Sequence, residues 1–243
     1  MVAGINTKKS DDVSTANTGK KIVTIIGLGY VGLPLACLCA LKGYKTYGFD
    51  VNENIVNFVN SKTNYIKDEF VESSLKNINI KATTKSEECM PLSQYIVMCV
   101  PTPVDDNYMP DLSYVVSASE KIAKNLRNGQ VIIVESTINP GVMREVILPI
   151  LEKDGKKCGK DFYLIHCPER IDPGNLKWDV RNLPRVIGNI TPECGKKGKE
   201  FYDSISIPVM MLSSVEAAEA TKIIENTFRD INIAFVNELA KSF

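Results

Sequence analysis

The residues of this chain best suited to chemistry begin with three glycines and an acid. Gly27, Gly29 and Gly32 stand in a Gly-x-Gly-x-x-Gly spacing, with Asp50 roughly 20 residues further on. That spacing suits a dinucleotide pyrophosphate. Gly27 allows a tight turn, Gly29 lets backbone approach a phosphate, and Gly32 lets a helix pack on the preceding strand. The start of that helix, through Tyr30 and Val31, offers free N–H groups and a positive dipole end to the phosphates. Asp50 is placed to accept hydrogen bonds from a ribose 2′-hydroxyl and to repel a 2′-phosphate, which predicts NAD rather than NADP. Three more loops gather polar residues: Pro101 to Asp106, Glu135 to Gly141, and His166 to Gly174.

The elements that must position these loops are legible from hydrophobic periodicity. A β-branched run, Ile22 to Ile26, precedes the glycines; a helical pattern runs from Leu33 to Leu41, and a second strand, Lys45 to Phe49, ends at Asp50. Helical patterns follow at Glu53 to Ser61 and Asp68 to Leu75, then a short strand at Ile78 to Lys81 and a buried one at Tyr95 to Val100. Asp111-Leu112-Ser113 reads as an N-cap for a helix through Leu126. Strand Val131 to Val134 leads to Glu135-Ser136-Thr137, and Pro140-Gly141 opens a helix toward Leu151. After a surface loop, Asp154 to Lys160, come strand Phe162 to Ile165, strand Arg185 to Ile187, a helix from Pro192 to Asp203 and strand Val209 to Leu212. Strands alternating with helices predict an α/β fold, a Rossmann-type doubly wound parallel sheet, with ligands outside the C-terminal strand ends.

From Ser213 the pattern becomes one long helix with an apolar stripe at Ile223, Ile224, Phe228, Ile231, Phe235 and Leu239. At 1.5 Å per residue it would reach roughly 40 Å, the start of a connecting helix that runs to Phe243 without a C-cap. The expected organisation is a flexible polar tail over 1–19, a cofactor domain over 20–212 and the beginning of a central helix over 213–243. The 243 residues carry 29 basic and 29 acidic side chains, and this balance, without a basic block, argues against nucleic acid as a partner. No run approaches the roughly 18 apolar residues of a membrane span, and the polar N-terminus has no apolar signal segment. Seven scattered cysteines without a Cys-x-x-Cys pair read as buried free thiols in a reducing cytoplasm, with no metal site.

Assembled in order, the motifs resemble the UDP-glucose/GDP-mannose dehydrogenase family. They are Gly27-Leu-Gly-Tyr-Val-Gly-Leu-Pro-Leu-Ala36, Val100-Pro-Thr-Pro103, Glu135-Ser-Thr-Ile-Asn-Pro-Gly141, Cys167-Pro-Glu-Arg170, and Lys222-Ile-Ile-Glu-Asn226 with Phe228 and Asn237-Glu238. The resemblance covers about Lys20 to Phe243. It implies an NAD-dependent oxidation of the C6 alcohol of a UDP-sugar to a carboxylate, using two NAD. On the matched positions it implies that Gly27, Gly29, Tyr30, Val31, Gly32, Asp50, Val100, Thr102, Glu135 and Thr137 hold the cofactor. Glu169 would handle water at a thioester stage, Thr137 would help to place it, and Lys222 would stabilise an oxyanion with Asn226 one turn along. Glu169, Arg170, Lys222 and Asn226 would also contact the sugar nucleotide. The family's nucleophilic Gly-x-Cys motif has no counterpart in these 243 residues, nor does its second nucleotide-sugar-binding domain.

Pro168-Glu-Arg-Ile-Asp-Pro-Gly174 and Pro110-Asp-Leu-Ser-Tyr114 resemble the enzymes acting on UDP-N-acetylmannosamine and UDP-N-acetylglucosamine more than those acting on UDP-glucose. An acetamido sugar is therefore expected, UDP-N-acetylmannosamine first, with UDP-glucose as the alternative. Ile55 stands where some relatives place an arginine beside the adenosine ribose. Without the motif, Glu169 reads as a solvated acid and Lys222 as a helix-face lysine. His166, the only histidine, reads as structural, and Cys167 as a wall residue whose pKa a neighbouring Arg170 would lower. Two readings from other classes stand beside this one: a β-hydroxyacid dehydrogenase, which the Pro-Glu-Arg loop disfavours, and a non-catalytic NAD-binding or dimerising module. The expectation for the chain alone is NAD binding without turnover and self-association, as a homodimer, through the C-terminal helix.

Overall fold

The computed structural model describes residues 20–170 and 180–243. The expected tail over 1–19, and residues 171–174 of the loop that begins at His166, lie outside the described residues. The elements are, in chain order, β1 (Ile22–Ile26), α1 (Gly32–Leu41), β2 (Lys45–Phe49), α2 (Glu53–Asn60), α3 (Glu69–Leu75), β3 (Ile80–Thr83), β4 (Tyr95–Met98), α4 (Ser113–Asn125) and β5 (Val131–Val134). A π-helical turn at Met143–Ile147 then leads into α5 (Leu148–Glu152), followed by β6 (Tyr163–His166), β7 (Arg185–Asn189), α6 (Pro192–Ser204), β8 (Val209–Met211) and α7 (Val215–Ser242).

The eight strands lie in the order β3-β2-β1-β4-β5-β6-β7-β8. Strands β1 to β6 pair in parallel, β7 pairs antiparallel to β6, and β8 runs parallel to β7. The α/β doubly wound fold is thus as expected, but the wholly parallel sheet is not: its last two strands run the other way. The reason is the connection. Between β6 and β7 the described residues contain no crossover helix, and a returning strand pairs antiparallel without one. Several boundaries also move by one or two residues. The strand expected at Ile78 to Lys81 runs over Ile80–Thr83, and α4 has Leu112 at its N-cap position, with Asp111 Oδ1 accepting the Ser113 N–H at 2.8 Å from one residue earlier.

Period-two alternation along these strands feeds a hydrophobic layer on each face. Val23, Ile25, Tyr95, Val97, Val131, Ile133 and Ile165 face a layer shared with α1, α2, α3 and α6. Ile26, Ile96, Met98, Ile132, Val134 and Leu164 face a second layer, shared with α4, the π turn and α5. All seven cysteines are free, and five of them are buried. The chain moves outward from β1 to β3 and then returns to place β4 on the other side of β1, so a switch point lies between β1 and β4. No helix among the described residues is long and apolar enough to cross a membrane.

Candidate active site

The loops at the C-terminal ends of β1, β2, β4, β5 and β6 surround one cavity of about 660 Å³, a size typical of ligand and cofactor sites. Backbone bonds hold those loops in register. Gly27 N–H donates to the Phe49 carbonyl, Cys99 N–H to Ile26, Glu135 N–H to Met98 and Cys167 N–H to Val134, all at 2.8–2.9 Å. The Ser136 hydroxyl donates to the Val100 carbonyl at 2.7 Å, which joins the loops after β4 and β5.

The glycine loop is built by close approach. Gly27 has φ +82°, and a Cβ there would stand 2.7 Å from the Cys99 carbonyl oxygen across the switch point. A Cβ on Gly32 would stand 1.8 Å from the Gly27 carbonyl oxygen and 3.2 Å from Ile25 of β1. Gly29 differs: a Cβ would meet nothing within 4 Å, so its backbone borders open cavity. Helix α1 begins there with no side-chain cap and no acid in its first turn. Leu33 N–H donates to the Gly29 carbonyl at 3.0 Å and Pro34 has no N–H, so the N–H groups left to an anion are those at the helix start, ahead of Leu33. These features fit a dinucleotide pyrophosphate. Asp50 stands at the rim, with Oδ2 accepting the Leu28 N–H and Oδ1 the Asn52 N–H, both at 2.9 Å. Each oxygen keeps a further lone pair for a ribose hydroxyl.

Of the residues expected at the site, Gly27, Gly29, Tyr30, Val31, Asp50, Val100, Thr102, Glu135, Thr137, Glu169 and Lys222 all line this cavity, as does Ile55. Gly32 sits beneath it. Two expected residues are not brought in. Arg170 turns to helix α7, where its guanidinium pairs with Glu225, Nε to Oε2 at 2.8 Å. Asn226 is exposed on α7 and is not part of the cavity wall, although Lys222 one turn earlier is. The helix leaves the sheet body between the two.

Glu135 lines the cavity, but its carboxylate points inward. It is 1% exposed, pairs with the guanidinium of Arg185 and accepts the Tyr202 hydroxyl at 2.6 Å. Burial pushes its pKa up, against the pull of Arg185. Glu169, 6% exposed, takes the other arm of Arg185 at 2.8 Å and accepts its neighbour's backbone, Arg170 N–H, at 2.6 Å. Lys222 is half-buried, and desolvation lowers its pKa while the Glu169 carboxylate opposes that change. Its place is set by Glu219 three residues earlier, whose buried carboxylate accepts Gly141 N–H and Met143 N–H at 2.8 Å each. That contact ties α7 to the loop carrying Thr137.

His166 is wholly buried at the end of β6, with Nδ1 2.9 Å from the Val134 carbonyl, and burial lowers its pKa to about 4. The expectation that Arg170 would lower the Cys167 pKa is overturned. Arg170 is committed to Glu225, Cys167 is 0% exposed, and burial pushes its thiol up to about 12. The sequence reading missed Arg185, Tyr202 and Glu219. It also missed the face of α4 made by Tyr114, Ser117 and Lys121, a further wall of the cavity. The spacing 114, 117, 121 was the available signal, since it puts the three on one helical face.

Comparison with known proteins agrees with this geometry. Residues 21–206 match the UDP-glucose/GDP-mannose dehydrogenase family, NAD binding domain, and residues 216–243 match the same family's central domain. Protein CapL of Staphylococcus aureus is 40% identical over 224 residues, 91% of this chain and 52% of its own length. The UDP-N-acetyl-D-glucosamine 6-dehydrogenase of Pseudomonas aeruginosa is 37% identical over 223 residues, again 91% of this chain and 52% of its own. The solved UDP-D-ManNAc dehydrogenase of Pyrococcus horikoshii superposes with a TM-score of 0.84 at 33% identity, over 90% of this chain and 53% of that one. The chain spans about half the length of the curated relatives it matches. With a glycine loop, the Asp50 carboxylate and a switch-point cavity in place, and a family match over most of its length, the chain belongs to the UDP-glucose/GDP-mannose dehydrogenase family and carries its NAD-binding domain.

Proposed function

We propose that this chain is the cofactor half of an NAD-dependent nucleotide-sugar 6-dehydrogenase, oxidising the C6 alcohol of a UDP-N-acetylhexosamine to the uronic acid with two NAD. The observation that carries the reading is one cavity lined both by Gly27, Gly29 and Asp50 and by Thr137, Glu169 and Lys222. Bound NAD would supply the hydride acceptor. The Lys222 ammonium would stabilise negative charge developing on the sugar oxygen, and its half-buried place strengthens that interaction. Glu169, held by Arg185 and the Arg170 N–H, would take a proton from the attacking water at the acyl stage, with Thr137 orienting that water. Arg170 and Asn226 stand outside the cavity and have no part in this scheme. UDP-N-acetylmannosamine is the favoured substrate, supported by the named dehydrogenases acting on acetamido sugars. The product would serve as a precursor of surface polysaccharide or other glycans, made in the cytoplasm.

Residues 20–212 form the cofactor domain in this reading, and 213–243 the start of the central helix. That helix exposes Ile224, Phe228, Ile231 and Phe235, each more than half accessible, and pairing of two copies would cover them. The covalent step needs a thiolate that traps the aldehyde. None of the seven cysteines stands in a Gly-x-Cys motif, and Cys167, nearest Glu169 in sequence, is buried with its thiol pushed up. The 243-residue chain is therefore expected to bind NAD saturably, and NADP more weakly, yet to make no sustained NADH from UDP-N-acetylmannosamine, UDP-N-acetylglucosamine or UDP-glucose. Calorimetric titration with both cofactors and absorbance at the NADH band check this. Equal affinity for NADP, or steady NADH abolished by Cys167→Ser, would overturn it.

A further inference from the structure

Among the described residues Arg185 heads the largest fully buried side chains, at 1% exposure, and the scheme above does not use it as a reacting group. Taking a guanidinium out of water costs several kcal/mol, and an apolar cluster of equal volume would be cheaper. Its contacts suggest what it does instead. One arm meets Glu135, whose same oxygen accepts the Tyr202 hydroxyl; the other meets Glu169 Oε2 at 2.8 Å; and the guanidinium lies over the Tyr202 ring, 5.5 Å from its centroid. Glu135 and Tyr202 thus hold the fork from the inside, and its other arm reaches Glu169, which shares the cavity wall with Thr137 and Lys222. Glu169 Oε1 takes the Arg170 N–H at 2.6 Å, and Oε2 lies against the Arg185 guanidinium as an ion pair, so a backbone donor and a buried cation bracket that carboxylate.

We infer that Arg185, braced by Glu135 and Tyr202, is a positioning residue that fixes the plane of the Glu169 carboxylate toward the cavity. The inference rests on the dehydrogenase reading for its consequence, but its geometry is testable without turnover. The Lys and Met variants separate charge from fork: Arg185→Lys keeps a cation that reaches one partner at a time, and Arg185→Met removes the cation. Tyr202→Phe keeps the ring against the guanidinium, removes the hydroxyl donated to Glu135, and leaves the Arg185–Glu169 pair in place.

The first experiment uses the chain itself, labelled with glutamate carrying ¹³C at the side-chain carboxyl, the Glu169 resonance being identified by its loss in Glu169→Gln. Arg185→Met should displace and broaden that resonance, Arg185→Lys should displace it less, and Tyr202→Phe should leave it in place while lowering the melting temperature. The second uses a full-length enzyme carrying residues 1–243. There Arg185→Met should slow release of the acid product by about 100-fold, as loss of a well-placed proton acceptor does, with Arg185→Lys intermediate and KM for NAD held within roughly threefold. A folded Arg185→Met with an unmoved resonance overturns the inference. So does a Tyr202→Phe enzyme that loses acid release in step with Arg185→Met, or an Arg185→Lys chain that does not fold, since each assigns the cluster to stability alone. If the wild-type enzyme oxidises no UDP-sugar, the functional reading fails, and the resonance alone decides the placement of Glu169.

Discussion

Gly32→Ala is expected to abolish NAD binding by this chain. The added methyl would stand 1.8 Å from the Gly27 carbonyl oxygen, where backbone rather than a flexible side-chain end must give way. Helix α1 can relieve that clash only by moving off β1, which withdraws its first N–H groups from the cavity. Affinity should fall roughly 100-fold or more, about 2.7 kcal/mol, and stability by about 1–3 kcal/mol through the displaced helix. Gly29→Ala separates the two effects. Its methyl meets nothing within 4 Å of protein, so the melting temperature should hold while the methyl intrudes on the cavity and weakens NAD. Calorimetric titration and thermal unfolding read both, and a Gly32→Ala chain that binds NAD like the wild type would refute this placement of the pyrophosphate.

The second large effect concerns Glu169. In a full-length enzyme carrying this chain, Glu169→Gln should lower the rate of acid release by about 10²–10⁴, the range for a positioned proton-transfer group. The amide oxygen can still accept the Arg170 N–H, but the amide cannot take a water proton, and it presents no charge to Arg185. Arg185 keeps Glu135 as a partner, so the stability loss should stay near about 1–3 kcal/mol rather than unfold the domain. The first oxidation, from alcohol to aldehyde, should survive better than acid release, because water enters only afterwards. Rapid-quench separation of the two steps, with NAD titration as a control, checks this. Loss of NAD binding in the same variant would mean that Glu169 is structural.

Much of this architecture was legible because its signals are local. The runs at Ile22–Ile26 and Val131–Val134 alternate between two buried faces, so they read as continuous apolar strands, and the three glycines announce a turn that only they fit. What stayed hidden depends on partners far apart in sequence. Arg185 meets Glu135 and Glu169 only because β7 returns antiparallel to β6, and strand direction leaves no periodic mark. Arg170 was read beside Cys167 because the two are close in sequence, yet its length carries it to Glu225 on α7. Asn226 shows the limit of helical spacing. It shares a face with Lys222, but a face has a working partner only as far as the sheet body extends beneath it.

If this cavity serves a four-electron oxidation of a UDP-acetamido sugar, as proposed, the reaction has a fixed cofactor stoichiometry. A full-length enzyme carrying residues 1–243 is given a limiting amount of UDP-N-acetylmannosamine and excess NAD, and NADH is counted against sugar consumed, with the product identified by mass. Two NADH per sugar and a uronic acid product are the expected outcome. One NADH per sugar with an aldehyde released, or no NADH from any UDP-sugar while NAD still binds, would contradict it.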